Sequence, residues 1–87
     1  MQGLMFGKSM KPSIGMVNFV YGEKPEYVCV GDIVCFSRPN KTIRLIHRVI
    51  DITTFGIVYI KGDNASEIDC VPFSSIHFKI VKFRRII

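Results

Sequence analysis

The sequence predicts an all-β fold: a small, semi-closed, barrel-like structure with at most one short helical turn. Three observations lead there. Thirteen Ile and nine Val stand against two Leu, and β-branched side chains suit a pleated, half-buried surface better than a helix. Clusters of Gly, Pro, Asn and Asp interrupt the chain at short intervals, as they do between the short strands of a barrel or sandwich. The longest patterned stretch, Thr42 to Thr53, alternates with the period of a strand.

Taken in order, Met16 to Tyr21 alternates and stops at Gly22, giving a first clear strand, and Glu23-Lys24-Pro25-Glu26 is the turn after it. Tyr27 to Val30 and Ile33 to Ser37 are short β-rich runs separated by a bend at Gly31-Asp32, and Arg38-Pro39-Asn40-Lys41 breaks the chain again. In Thr42 to Thr53 one face carries Ile43, Leu45, His47, Val49 and Asp51, and the other Arg44, Ile46, Arg48 and Ile50. Both faces mix polar and apolar groups, as in a strand that lines a site. Thr54-Phe55-Gly56 closes a hairpin into Ile57 to Lys61, and Gly62-Asp63-Asn64 opens a polar loop reaching Cys70. Pro72 to Ser75 has room for one helical turn, and Ile76 to Phe83 reads as the last strand.

At 87 residues and 9.9 kDa the chain reads as one domain, residues 1–87. Its 48% hydrophobic and 22% charged residues exclude a disordered chain. The net charge of +5 comes from scattered cations, with one tight cluster at Lys79, Lys82, Arg84 and Arg85 that reads first as a solvated edge. Cys29, Cys35 and Cys70 lack metal-ligand spacing, which argues against a zinc site or a disulfide framework, although a Cys29–Cys35 bridge stays open. No run approaches the ~18 apolar residues of a membrane span, and the N-terminus has no basic lead-in to an export signal. The expectation is a cytoplasmic protein, or a membrane-associated one if an anchor segment has been removed from its N-terminus.

The chemistry-bearing residues lie where the chain turns. Ser9 stands between Gly7-Lys8 and Met10-Lys11-Pro12, where glycine permits a sharp backbone and proline stiffens the exit. His47 is mid-strand, Asp63 and Asp69 follow the next strand, and His77 beside Phe78 reads as a boundary residue. Serine, histidine and aspartate are the parts of an acyl-transfer site: a weak nucleophile, a base near neutral pH, and a carboxylate that fixes the imidazole.

The order of four blocks, Gly7-x-Ser9-Met10-x-Pro12, Gly31-Asp32-Ile33-Val34-x-Phe36, Ile46-His47-Arg48-Val49 and Ile60-Lys61-Gly62-Asp63-Asn64, resembles the type I signal peptidase family from about Gly7 to Val81. Histidine where the bacterial branch has lysine makes the chain similar to the archaeal and endoplasmic-reticulum branch. The resemblance implies a serine endopeptidase that removes a leader or signal segment from a small protein. It implies Ser9 as nucleophile, His47 as base, Asp69 as the orienting carboxylate and Asp63 as a supporting acid. It further implies main-chain oxyanion donors at Ser9 and Gly7, and substrate contacts at Met10 and Pro12. Neither cofactor nor metal is called for. The implied partner is a peptide with small residues near the cut, with membrane contact left open and nucleic acid disfavoured. Met5, Phe6 and Met16 offer an apolar lip for such a peptide, or simply core. The alternative is a small, basic, catalytically inactive β-domain that binds nucleic acid or a protein partner.

Overall fold

A computed structural model describes all 87 residues. Seven strands form one antiparallel sheet: β1 (Gln2–Phe6), β2 (Val17–Glu23), β3 (Ile33–Ser37), β4 (Arg44–Ile52), β5 (Ile57–Lys61), β6 (Ile68–Pro72) and β7 (Ile76–Arg85). Their spatial order is β1-β2-β7-β3-β4-β5-β6, so the last strand in sequence lies between β2 and β3, and the sheet curls into a half-barrel. One 3-10 turn, Phe73–Ser75, is the only helical element, at the place the Pro72 break predicts.

Strand alternation builds two cores. On one face of β3 to β6, Val49 lies opposite Ile60 and Val58 opposite Val71, and these close with Val34, Phe36, Val28 and Ile76 into the larger core. The smaller core joins Met5 of β1 and Val20 of β2 to Met10 and Ile14, packed against Ile33, Ile46 and Ile80. Met10 and Ile14 belong to the loop between β1 and β2, and both are fully buried. Burying each is worth roughly 1.5–3 kcal/mol, so the loop that carries Ser9 is anchored on both sides of its turn. Asn18 secures its end, donating to the Gly15 carbonyl at 2.6 Å and accepting from the Gly15 N–H at 3.2 Å.

Four details depart from the sequence expectation. β1 forms from a glycine-interrupted segment because all five of its residues pair with β2. Tyr27 to Val30 makes no strand: the Asp32 carboxylate accepts the Cys29 N–H at 2.8 Å and the Asp32 N–H returns to the Cys29 carbonyl, closing a turn instead. The expected polar loop after Asn64 turns into β6, where Asp69 and Val71 face inward. A bulge between Val49 and Asp51 rotates Asp51 off the His47 face, to lie opposite Tyr59.

Candidate active site

The ladder between β4 and β5 ends at Arg48 opposite Lys61. Gly62 therefore comes alongside His47, and the Ser9 loop packs into the space a side chain would fill. A Cβ on Gly62 would stand 2.8 Å from the Ser9 carbonyl oxygen and 3.1 Å from His47 Nε2. Residues 62–64 hold the loop from below. The Asn64 N–H donates to the Ser9 carbonyl at 2.6 Å, Asn64 Nδ2 donates to the Lys8 carbonyl at 3.1 Å, and the Asp63 N–H meets Met10 Sδ at 3.3 Å.

This framework brings Ser9 Oγ to 3.1 Å from Nε2 of His47. His47 is buried, with Phe36 tilted against its ring at a centroid distance of 5.8 Å. Burial holds its imidazole below the ordinary histidine value, with the negative charge of Asp69 working against the shift and Arg38 reinforcing it. The ring is thus neutral at neutral pH and free to take a proton. Its Nδ1 is buried and has no hydrogen-bond partner.

Neither aspartate reaches that nitrogen. Asp63 forms a two-pronged pair with Arg48, 2.9 Å at each oxygen, and Arg48 Nη1 also donates to the Gly31 carbonyl at 2.9 Å. The Arg48 guanidinium, helped by the Ser13 hydroxyl, holds the Asp63 carboxyl below the usual carboxylate range. Asp63 thereby braces the Ser9 loop against β4. Asp69 shares the inward face with His47, but Arg38 takes both of its oxygens, Nε at 2.7 Å and Nη2 at 3.1 Å. Sequence reasoning had no access to Arg38, since only the sheet joins it to a residue so distant in the chain.

The remaining expected contacts divide. The Ser9 N–H bonds to no group in the protein and is free to donate, whereas the Gly7 N–H is taken by the Met16 carbonyl at 3.0 Å. Gly7 itself has φ of 117°, a conformation that a side chain strains. Met10 is a correction: it is fully buried beneath Ser9 and cannot line a substrate path. Pro12 is exposed and outside the cavity that Ser9 and His47 share. That cavity, about 370 Å³, is walled by Leu4, Met5 and Phe6 on one side and by Leu45 and Ile46 on the other. Of the expected lip, Met16 is the residue that does not reach it.

Two other nucleophiles bear comparison. Cys35 borders the same cavity, but burial pushes its thiol up and keeps it protonated. Ser37 Oγ lies 2.8 Å from His77 Nε2, a second serine–histidine contact absent from the sequence reading. Neither residue borders a cavity. No three His, Cys, Asp or Glu side chains converge where a metal ion could be held, and no helix is long and apolar enough to cross a membrane. All three cysteines are free.

Two expectations follow from these electrostatics. Because burial lowers the His47 value, the acid limb of any rate it supports lies below the ~6.5 of ordinary histidine. Its unfolded form gains a proton first as pH falls, so folding also weakens between that ordinary value and the lowered one. A pH–rate profile with its acid midpoint above the ordinary value contradicts this assignment. For the brace, Asp63→Asn is expected to cost about 1–3 kcal/mol of stability. The stabilisation is full above the ordinary carboxylate value and fades as pH drops through the lowered one. Denaturant unfolding of Asp63→Asn, Arg48→Gln and the double variant measures it; additive losses contradict the pairing.

Comparison of the chain with family models, with curated proteins and with solved structures finds no match.

Proposed function

We propose that the chain is a serine endopeptidase, similar to type I signal peptidases, that cuts a leader or signal segment from a small protein or peptide. The observation that carries the reading is the 3.1 Å contact of Ser9 Oγ with His47 Nε2 at the wall of an apolar cavity. Ser9 Oγ attacks the scissile carbonyl while His47 Nε2 accepts its proton. The Ser9 N–H, which bonds to no group in the protein, is available to the oxyanion that develops. Collapse expels the amine, which leaves with the proton from His47. Water, activated by the same nitrogen, then releases the acyl group and restores Ser9. Asp69, buried but held through both oxygens by Arg38, acts on His47 in this reading through its charge and not through a bond to Nδ1.

The cavity also suits an extended peptide. β1 is the end strand of the sheet, and Arg44 to Ile46 pair only with β3, so both walls present unpaired backbone edges. A peptide laid between them would gain main-chain hydrogen bonds from each side.

One observation favours the alternative of nucleic-acid binding. Phe19 and Tyr21 share a face of β2, with Arg84 and Lys82 opposite them on β7 and packed over their rings at 6.0 and 5.0 Å. Such aromatic and cationic faces bind single strands. One comparison separates the readings: cleavage of an alanine-rich leader peptide by the wild-type protein and by Ser9→Ala. Cleavage that Ser9→Ala abolishes supports the peptidase; equal turnover by both proteins, or none by the wild type, overturns it.

A further inference from the structure

A second cavity, about 330 Å³, adjoins the first and is lined by Arg38, Lys41, Ile43 and Leu45. Leu45 borders both cavities. It shares the His47 face of β4 and lies about 7 Å from that residue along the strand, so an extended peptide passing His47 next meets this space. Its chemistry is specific. Arg38 commits Nε and Nη2 to Asp69, but its Nη1 bonds to nothing in the protein. Lys41 pairs with no carboxylate; its backbone N–H closes the Arg38 to Lys41 turn, where Asn40 takes a φ of 60°. Arg38 already attracts a second carboxylate, since Glu67 Oε2 approaches Nη2 at 3.9 Å from a side chain that is 76% exposed. So long and exposed a contact is weak, and a better-placed carboxylate would displace it. Beside the two cations, Ile43, 72% exposed, and the half-buried Leu45 offer apolar surface to an aliphatic stem.

We infer that this cavity is a subsite for an acidic side chain of the peptide substrate, two to four residues from the cut, whose carboxylate is held by Arg38 and Lys41. Glutamate fits it best, with methylenes on Ile43 and Leu45 and a carboxylate that reaches the cations. This inference rests on the peptidase reading for the identity of its ligand, and names a preference that the reading alone does not contain.

Lys41 is the residue to vary, because Arg38 also holds Asp69. The test uses the Ser9→Ala protein and fluorescein-labelled, alanine-rich decapeptides, each with one Glu at a different position, against the same peptides with Gln. Fluorescence anisotropy is expected to show about tenfold tighter binding for Glu at one or two adjacent positions. The gain shrinks as salt is raised and is mostly lost in Lys41→Ala. Equal binding of Glu and Gln peptides, or of none, overturns the subsite. So does a gain that is uniform along the peptide and survives Lys41→Ala, which is the mark of general attraction to a basic protein. Wild-type cleavage, measured in parallel, separates the two proposals. Equal kcat/KM for Glu and Gln peptides removes the subsite and leaves the peptidase; position-specific Glu binding without cleavage does the reverse.

Discussion

Ser9→Ala and His47→Ala are each expected to lower leader-peptide cleavage by about 10,000-fold or more, and the double variant to be no worse than either single one. In the proposed mechanism the two side chains act in one proton transfer, so removing either removes the whole step. The stability of the two variants differs in a predictable way. Ser9 Oγ has His47 as its one side-chain partner, so its loss leaves the loop held by Met10, Ile14 and the Asn64 bonds. Circular dichroism and the unfolding midpoint of Ser9→Ala should match the wild type closely. His47→Ala empties a buried position beside Phe36 and is expected to cost about 2–4 kcal/mol. His47→Gln, which fills more of the space but is a poor base, therefore serves as its companion. Cleavage that survives in either His47 variant while the fold is intact contradicts a base at this position.

Gly62→Ala carries the next largest effect, and it acts without removing any reacting group. The new methyl group would meet backbone, the Ser9 carbonyl oxygen at 2.8 Å, and His47 Nε2 at 3.1 Å. The Ser9 carbonyl cannot yield without straining its bond from the Asn64 N–H. The loop is expected to lift and separate Ser9 from His47, lowering cleavage about 100-fold and stability by about 1–3 kcal/mol. Gly3→Ala is the matched control, since a Cβ there meets nothing within 4 Å. An active Gly62→Ala protein would mean that the serine–histidine contact is not what limits the rate.

Much of this was legible in the sequence, for reasons that differ between residues. The β-branched composition and the breaks between runs predicted the all-β class, and the alternation of Thr42 to Thr53 placed His47 mid-strand. Ser9 was marked by the glycine and proline around it. What could not be read depends on pairing across the sheet. β1 exists because β2 accepts it, and β6 exists because Asp69 and Val71 find an inward face against β5. The two aspartates were legible as chemistry-bearing residues, but not the arginines that hold them. Arg48 was visible only as the neighbour of His47, and Arg38 only as part of a turn. The resemblance implied a substrate contact at Met10, yet its side chain is fully buried and anchors the loop.

The contact between Ser37 and His77, at 2.8 Å, is shorter than that of Ser9 with His47, so proximity alone does not make a nucleophile. Ser9 differs in bordering a cavity, which Ser37 does not. The most direct test is therefore reaction of the wild-type protein with an alkyl fluorophosphonate, followed by intact-mass and peptide-mapping mass spectrometry. One adduct per chain is expected, on Ser9 and not on Ser37, absent in Ser9→Ala and slowed as pH falls below the lowered His47 value. No adduct, or an adduct on Ser37 with Ser9 untouched, would contradict an activated serine at this site.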